Sequence, residues 1–239
     1  MMKVTKNKIN NILIIIPARG GSKRIPYKNI KEINGKPMIY WPINEILKKF
    51  TTNEILVSTD DDLIIKTLKE IGITTPFKRP QELSDDYTTT MSVAKHALKW
   101  HEKHKNIVEI VLIIYPTAVL LNIEDLTKAI QLLKEDKQCD YVMSATTFPF
   151  PIQRAVFNNK DGYAKMFKPE NYTKRSQDFV EAFHDAGQFY VCKSETVREE
   201  KNLENCNAKL FQLNRNNVID IDTLEDFKIA EEKLKTIKK

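Results

Sequence analysis

The chain reads ILIIIPARGGSKRIPYKN over residues 12–29, where an apolar run passes directly into a basic segment with two adjacent glycines. An uninterrupted apolar run is typical of a strand buried on both faces of a parallel sheet. Gly20 and Gly21 allow positive φ and a close approach of the backbone to an anion. Ligands of α/β proteins bind at the carboxyl ends of the strands. We therefore expect a phosphate site here, rather than a solvated basic loop, with charge supplied by Arg19, Lys23, Arg24 and Lys28.

This segment has neither of the two common phosphate-loop patterns, G-x-x-x-x-G-K-[ST] and G-x-G-x-x-G. It instead resembles the P-A-R-x-x-S-K-x-x-x-x-K-N signature of the sialic-acid-type cytidylyltransferases, which load a nonulosonic acid onto CMP. The fixed positions of that signature are filled by Pro17, Ala18, Arg19, Ser22, Lys23, Lys28 and Asn29. The resemblance implies that CTP is held by Ala18, Arg19, Gly20, Gly21, Ser22, Lys23, Lys28 and Asn29. Among these, Arg19 and Lys28 are the candidates for catalysis, with the Lys28 charge at the α-phosphate.

The composition is that of an ordinary globular protein, with 239 residues, 41% hydrophobic and 29% charged. This length fits one α/β domain. The sequence shows no apolar run long enough to cross a bilayer and no hydrophobic signal region in its polar N-terminus, so we expect a cytoplasmic protein without a membrane partner. Three cysteines without a C-x-x-C pair are expected to be reduced structural thiols, at Cys139, Cys192 and Cys206.

The net charge of +6 raises the possibility of nucleic-acid binding. The lysines are spread over all the predicted helices and form no basic stripe, and no nucleic-acid-binding motif is present, which argues against that class. Arginine is scarce in this lysine-rich chain, so its positions are informative. Most arginines fall in segments that the resemblance marks as functional, namely Arg19, Arg24, Arg79, Arg154 and Arg175.

Strand-like and helix-like patterns alternate along the chain, which predicts an α/β fold with a Rossmann-like, mostly parallel sheet flanked by helices. The resemblance implies the nucleotide-diphospho-sugar transferase type, as a single domain over residues 1–239. We predict strands at residues 12–17, 55–57, around 77, 107–115, 141–145, 188–192 and 218–221. We predict helices at residues 37–49 (opened by Pro37), 63–71, 90–101, 122–135 and from Thr223 onward.

The alternation fails from about residue 147 to residue 186, where prolines and scattered aromatic residues replace any helical period. Within this stretch, residues 158–162 predict a hairpin turn. An interruption of this size inside an α/β domain is typical of a functional insertion. The resemblance implies that it is a dimerisation subdomain of a homodimer, reaching toward the active site of the partner.

Two aspartates stand two positions apart in Asp220-Ile221-Asp222. In a strand both carboxylates would project to the same side, with Cα atoms about 6.5 Å apart, a spacing that suits one hydrated Mg²⁺. The alternative is that Asp222 caps the helix beginning at Thr223. The cytidylyltransferases end their sheet with the same D-x-D metal pair, which favours Asp220 and Asp222 as metal ligands and catalytic residues.

The polar stretch from Arg79 to Thr90 is similar to the family loop that surrounds the nucleotide base. The resemblance implies base contacts from Arg79, Thr88 and Thr90, and a guanidinium with two hydroxyls suits the edge of cytosine. The alternatives are that Arg79 is a surface charge and that Thr90 caps a helix.

A second set of sequence matches to the family concerns the acceptor of the reaction. Tyr115 starts a Y-P-T-A stretch where the sialate-activating enzymes carry Q-P-T-S, while residues 148–154 and 175–190 resemble the branch that activates pseudaminic acid. The resemblance implies a sugar site formed by Tyr115, Arg154, Arg175, Gln188 and Phe189, with Arg175 on the sugar carboxylate. The remaining candidates are histidines: we expect His96, His101 and His104 to be solvated, and substrate contact by His184 is the less favoured interpretation.

These features predict an enzyme that converts CTP and a nine-carbon 2-keto acid, pseudaminic acid in the first place, into the CMP-sugar and pyrophosphate with Mg²⁺. The same reaction on N-acetylneuraminic, legionaminic or a related 2-keto-3-deoxy acid is the nearest alternative. A nucleotide-binding module without catalysis is the alternative from another class, and the Asp220/Asp222 pair argues against it.

Overall fold

The computed structural model describes residues 11–237, so the polar segment 1–10, where the sequence predicts no signal region, lies outside the described residues. The strands in chain order are β1 (Ile12–Pro17), β2 (Glu32–Ile33), β3 (Lys36–Pro37), β4 (Ile55–Ser58), β5 (Ile110–Ile114), β6 (Tyr141–Thr147), β7 (Val156–Asn158), β8 (Ala164–Met166), β9 (Phe183–Lys193) and β10 (Ala208–Gln212). The helices are α1 (Tyr40–Ile46), α2 (Asp62–Glu70), α3 (Thr90–His104), α4 (Ile123–Glu135), α5 (Ser194–Arg198) and α6 (Leu224–Ile237).

Six strands form the central sheet, in the order β10-β6-β9-β5-β1-β4. The strand β1 lies between β4 and β5 and is parallel to both, and β10 is parallel to β6. The strand β9 is antiparallel to its neighbours β5 and β6. The α/β prediction and the mostly parallel sheet are therefore confirmed, with one reversed strand that makes the sheet mixed.

The apolar run of β1 is buried because helices cover both faces of the sheet. Ile14 and Ile16 pack on one face with residues of α1, α2 and α4. Leu13 and Ile15 pack on the opposite face with residues of α3 and α5. Because alternate residues enter different halves of the core, each position gains about 1.5–3 kcal/mol from burial and none tolerates a polar side chain.

The predicted strand at residues 218–221 is not a strand, and the edge beside β6 is instead occupied by β10. Residues 208–212 pair with residues 141–145 of β6, whereas residues 218–221 are extended chain outside the sheet. The prediction that Phe77 belongs to a strand is also wrong. Phe77 lies in a bend, and its ring packs against Trp100 with the ring centroids 5.5 Å apart.

The first helix begins later than predicted, at Tyr40, because Pro37 belongs to β3. Ile33 of β2 pairs with Lys36 of β3 across Asn34 and Gly35, both with positive φ. An Asn-Gly pair is a strong sequence indicator of such a hairpin, so the β2–β3 ribbon could have been predicted.

Residues 148–182 form an arm that projects from the sheet between β6 and β9. The predicted turn is present, because the Asn159 N–H donates to the Tyr163 carbonyl between β7 and β8. Thr147 pairs with Phe183, so the arm leaves and returns at one place. It exposes large apolar side chains to solvent, among them Phe150, Tyr163, Phe167, Tyr172 and Val180.

Three smaller findings complete the description. The three cysteines are free thiols, as predicted. Among the described residues no helix is long and apolar enough to cross a membrane. His101 is buried within α3, so the prediction that it is solvated is wrong.

Candidate active site

A cleft of about 490 Å³ lies at the carboxyl ends of β1 and β5. Pro17 is the last residue of β1, and Tyr115 directly follows β5. It is the position at which ligands of α/β sheets bind. Of the residues that the sequence proposes for CTP and the acceptor, the cleft brings together Arg19, Ser22, Lys23, Lys28, Asn29, Arg79, Thr88, Thr90 and Tyr115.

Ala18 and Gly20 make contacts within the protein itself, whereas the sequence suggested ligand contacts for both. The Ala18 side chain is fully buried in the core and its N–H donates to Ser58. The Gly20 N–H donates to the Asp60 carboxylate at 3.0 Å. A Cβ on Gly20 would lie 2.4 Å from Asp61 Oδ2, so glycine is required by the close approach of that aspartate. Gly20 and Gly21 are not among the described glycines with positive φ, so neither uses the conformation that the sequence analysis considered for them.

The cations at the mouth of the cleft are held by a neighbouring acidic loop. Arg19 NH1 lies 2.8 Å from Asp86 Oδ1 and donates to the Asp85 carbonyl at 2.7 Å, and Lys23 Nζ also binds Asp86. Hydrogen bonds from Lys23 and Arg19 hold the pKa of Asp86 below its usual range. Asp86 therefore supplies the negative charge that a triphosphate would bring, and an entering nucleotide must displace this carboxylate.

Thr88 and Asn29 shape this mouth through their own hydrogen bonds. Thr88 donates through both its N–H and its hydroxyl to Asp85 Oδ1, each at 2.7 Å, which fixes the turn of the acidic loop. Asn29 is buried and its amide donates to the Arg19 carbonyl at 2.8 Å. Asn29 therefore positions the backbone that carries Arg19.

Lys28 joins the basic segment to the two aspartates. Its Nζ donates to the Ile221 carbonyl at 2.7 Å and lies 3.3 Å from Asp222 Oδ1. Arg24 NH2 lies 2.8 Å from the same carboxylate oxygen. These contacts between residues far apart in sequence place Lys28 and Arg24 directly beside Asp222.

Asp222 does not cap the last helix, because Thr223 does. The Thr223 hydroxyl accepts from the Asp226 N–H at 3.2 Å, and Asp226 Oδ2 accepts from the Thr223 N–H at 2.8 Å. This reciprocal pair is a capping box. The same Asp226 oxygen accepts from the Asp222 N–H, which leaves the Asp222 carboxylate directed to Arg24 and Lys28.

The carboxylate pair has the chemistry of a magnesium site completed by substrate. Ile221 is fully buried between the two aspartates, although this segment is extended chain rather than a strand. Partial desolvation raises the pKa of Asp220, and the charge of Asp222 raises it further. A divalent cation would relieve that repulsion. Among residues 11–237, no three or more His, Cys, Asp or Glu side chains are grouped so that they could hold a metal ion.

Arg79 is a buried cation with unused hydrogen-bonding capacity. Arg79 is 5% exposed, and its NH2 lies 3.6 Å from Asp60 Oδ1. Its Nε and NH2 are buried without a hydrogen-bond partner, and burial lowers the pKa of the guanidinium. The alternative that Arg79 is a surface charge is therefore wrong. Unpaired buried donors at a cleft wall are costly unless a ligand fills them.

Tyr115 and Thr90 meet at the inner end of the cleft. The Tyr115 hydroxyl lies 3.1 Å from Thr90 Oγ1, and its ring packs edge-on against Tyr190 at 5.9 Å. The N-cap of α3 is Thr89, whose side chain accepts from the Ser92 N–H, so the alternative role of Thr90 as that cap is wrong. Burial raises the pKa of Tyr115, which keeps its phenol protonated.

Comparison with known proteins identifies the family that shares these features. The profile of the family described as Cytidylyltransferase matches residues 13–174. A relative named pseudaminic acid cytidylyltransferase, from Campylobacter jejuni, is 40% identical over 91% of this chain and 94% of its own length. The chain belongs to the cytidylyltransferase family.

Two further relatives of the cytidylyltransferase bear on its substrates and its fold. A Helicobacter pylori protein is named pseudaminic acid cytidylyltransferase and UDP-2,4-diacetamido-2,4,6-trideoxy-beta-L-altropyranose hydrolase. It is 28% identical over 95% of this chain and 43% of its own length. The solved structure of a CMP:2-keto-3-deoxy-manno-octonic acid synthetase complexed with CTP matches with a TM-score of 0.71 at 16% identity, covering 95% of this chain and 99% of that chain. At that identity the likeness shows the fold.

Four residues proposed for the sugar lie outside the cleft of the cytidylyltransferase. Phe189 is buried in the core, and Gln188 is buried with its amide donating to the Asn217 carbonyl at 2.6 Å. Both belong to β9, whose extent beyond residues 188–192 was not predicted. Arg154 and Arg175 lie on the arm, where Arg154 binds the Lys174 carbonyl and Arg175 makes a two-point ion pair with Asp178.

Asp60 and Asp86 are the functional candidates that sequence reasoning missed. Asp60 follows β4, which neighbours β1, so its position at the carboxyl edge of the sheet was a usable indication. Asp86 lies in the loop already compared with the family's base-binding loop. Its pairing with Arg19 and Lys23 joins segments more than sixty residues apart and has no local sequence pattern.

Proposed function

We propose that this cytidylyltransferase transfers CMP from CTP to the anomeric hydroxyl of pseudaminic acid and releases pyrophosphate. The observation that carries the proposal is the cleft itself, where a buried Arg79 lines the same space as a row of cations. Two of these cations, Arg24 and Lys28, also contact Asp222, which lies beside the cleft. The Campylobacter jejuni relative, similar over almost the whole chain, supports the choice of donor and acceptor. Because the donor is CTP, we place the reaction in the cytoplasm.

The cations would bind the triphosphate and neutralise charge in the transition state. Arg19, Ser22 and Lys23 line the mouth and would take the outer phosphates as Asp86 is displaced. Lys28 lies deeper, beside Asp222, and would stabilise the α-phosphate. Phosphoryl transfer depends mainly on such positioning and charge neutralisation, and a single preorganised donor is worth about 10²- to 10³-fold in rate.

In the reaction the acceptor oxygen forms a bond to the α-phosphorus as the bond from that phosphorus to the β-phosphate oxygen breaks. The departing pyrophosphate takes the electron pair, and the acceptor hydroxyl loses its proton. Asp220 and Asp222 would hold Mg²⁺, which when bound neutralises phosphate charge and lowers the pKa of a coordinated hydroxyl. Arg79 would donate from its guanidinium to the acceptors on the cytosine edge, with Thr90 lining the same cleft.

For the acceptor, we propose that Tyr115 contributes to the choice of sugar. The name of the Helicobacter pylori relative couples a pseudaminic acid cytidylyltransferase with a hydrolase of a diacetamido, trideoxy sugar. An acceptor rich in acetamido groups and deoxygenated carbons is therefore the expected class. Tyr115 presents one hydroxyl, already shared with Thr90, and a ring face, whereas glutamine would present both a donor and an acceptor.

A pyrophosphate-release assay of CTP against a panel of nonulosonic acids tests this proposal. We expect wild type to prefer pseudaminic acid over N-acetylneuraminic acid by about 10²-fold in kcat/KM, and Tyr115→Gln to narrow that preference at least about tenfold. Tyr40→Gln, on the outer surface of α1, is the matched control and should leave it unchanged. Equal use of the two acids by wild type would contradict the assignment of pseudaminic acid.

We also propose that the enzyme is a homodimer in which the arm of one protomer completes the cleft of the other. The arm exposes a set of large apolar side chains that a monomer leaves in water. Arg175 is exposed and presents its guanidinium outward from the arm, with Asp178 as its present counter-ion. A sugar carboxylate in the partner's cleft would offer it the same two-point geometry.

Co-expression of two inactive variants tests this arrangement. Arg175→Ala and Asp222→Asn should each have little activity as homodimers. The co-expressed sample should recover about a quarter of wild-type turnover, because about half of its dimers are mixed and each mixed dimer holds one intact cleft out of two. Each variant expressed alone is the control. Recovery no greater than the sum of the controls would mean that Arg175 does not act across the interface.

A further inference from the structure

The chain just after helix α5 has a backbone conformation that is unusual for the residue it carries. Glu200 has a φ of 52°, in the left-handed region that favours glycine. Its N–H donates to the Val197 carbonyl at 3.3 Å, and the Lys201 N–H donates to the Thr196 carbonyl at 3.0 Å. This pattern is a Schellman motif, in which glycine is the usual residue at the position of Glu200. Because a glutamate there strains the backbone, we expect its side chain to have a use.

The Glu200 carboxylate contacts the first two turns of α3, more than a hundred residues earlier in the chain. Its Oε2 accepts from the Ser92 hydroxyl at 2.5 Å, and its Oε1 lies 2.8 Å from Lys95 Nζ. The hydrogen bonds from Lys95 and Ser92 hold the pKa of Glu200 below its usual range. The carboxylate is therefore ionised and can only accept hydrogen bonds.

This acceptor sets the direction of the hydrogen bonds at the start of α3. Ser92 Oγ lies 2.8 Å from Thr89 Oγ1, and because the Ser92 proton is given to Glu200, the Thr89 hydroxyl is the donor of that pair. Thr89 is the N-cap of the helix, and its Oγ1 accepts from the Ser92 N–H at 3.1 Å. Glu200 is thus joined through Ser92 to the cap of α3.

The residue after this cap, Thr90, lines the nucleotide cleft. Its hydroxyl lies 3.1 Å from that of Tyr115, and Tyr115 is tied to the sheet because its N–H donates to the Gln188 carbonyl at 3.0 Å. The position of Thr90 in the cleft therefore depends on how the first turn of α3 is held. A displacement of about 1 Å in a substrate-positioning group can have a large effect on an enzyme.

We propose that Glu200 is a positioning residue, which acts through Ser92 and Thr89 to hold the start of α3 so that Thr90 meets the nucleotide. The inference rests on the proposed function and extends it to a residue that does not itself line the cleft. A second ion pair joins the same two helices, between Arg198 NH2 and Glu102 Oε1 at 2.6 Å. Because Glu102 lies near the carboxyl end of α3, this pair provides a comparison that leaves the first turn untouched.

The main variant is Glu200→Gly, which removes the carboxylate and places at positive φ the residue that the backbone favours there. We expect its melting temperature to stay within about 3 °C of wild type or to rise, while KM for CTP rises about tenfold and kcat stays within about twofold. Glu200→Gln keeps an acceptor for Ser92 and should stay within about threefold of the wild-type KM.

Arg198→Ala is the matched control, because it breaks an ion pair between α5 and α3 at the far end of α3. It should leave KM for CTP at the wild-type value. An equal rise in KM for Glu200→Gly and Arg198→Ala, or no rise for Glu200→Gly, would overturn the proposal.

Amide hydrogen exchange observes the start of α3 directly, so that failure of this proposal is not confused with failure of the proposed function. In Glu200→Gly the amides of residues 92–95 should exchange at least about fivefold faster than in wild type, and those of residues 97–101 should not. Unchanged exchange at residues 92–95 would overturn the proposal whatever the kinetics. Faster exchange there, combined with no pyrophosphate release from CTP by wild type, would support the role of Glu200 and contradict the proposed function alone.

Discussion

Asp220→Asn and Asp222→Asn should each lower turnover by about 10²- to 10³-fold or more, with the fold retained. The pair lies beside Lys28 and Arg24, and mutual repulsion keeps the pKa of Asp220 above its usual value after desolvation has raised it. An amide removes the charge that attracts Mg²⁺ and keeps nearly the same volume. Since a bound metal contributes several kcal/mol at a phosphoryl centre, loss of one ligand has a large effect. Steady-state kinetics across a magnesium titration, with circular dichroism for the fold, measure this.

The chain supplies a control for this prediction. Thr223→Ala removes the hydroxyl that caps α6, one residue after Asp222, and should lower stability by about 1 kcal/mol while turnover stays near the wild-type value. The helix cap and the proposed metal ligand are thus two different residues, Thr223 and Asp222, which are adjacent in the sequence. Near-normal turnover in both asparagine variants, or the same profile for Asp222→Asn and Thr223→Ala, would contradict the metal assignment.

Arg79→Lys should lower kcat/KM for CTP by about 10²-fold and reduce its preference over UTP, although the positive charge is kept. The guanidinium is buried at the cleft wall, where its Nε and NH2 make no hydrogen bond and Asp60 lies 3.6 Å from NH2. A guanidinium can hold two acceptors in a fixed geometry, and hydrogen bonds to a charged group are worth about 1.5–3 kcal/mol each. An ammonium group cannot reproduce this fork. Initial rates with CTP and UTP, fitted for kcat and KM, give the comparison.

Lys78→Ala is the control for the neighbouring charge. Lys78 forms an exposed ion pair with Asp62 at 2.7 Å, and such pairs contribute little, so CTP kinetics should change by less than about twofold. If Arg79→Lys also stays within that range, or if wild type uses UTP as well as CTP, Arg79 does not read the base.

The family and the sheet could be predicted from the sequence because both depend on local patterns. The apolar run of β1 and the basic segment after it are contiguous, and the structure places them as expected, with Lys28 beside the carboxylate pair. The conformational freedom expected of Gly20 and Gly21 nevertheless does not explain why residue 20 must be glycine. Gly20 is needed because Asp61 approaches it, a contact between segments forty residues apart that the motif does not contain.

Most of the errors involve residues whose environment is set by distant chain. Residues 218–221 were expected to form a strand, but β10 joins the sheet beside β6 and residues 218–221 do not, and neither segment carries a local pattern that shows which of them pairs. Phe189 resembles a family sugar contact, but the register of β9 against β6 and β5 turns it into the core. Arg154 and Arg175 lie on the arm, where their contacts are with other arm residues rather than with the cleft of the same chain.

The pairing of Thr147 with Phe183 has a consequence for how this protein can change over evolution. Since β6 and β9 are adjacent and antiparallel, residues 148–182 amount to one very long hairpin loop, and lengthening a loop adds only about 0.6 kcal/mol of closure cost for each doubling. The arm can therefore be shortened, extended or exchanged without a change in the register that fixes Tyr190 and Met143.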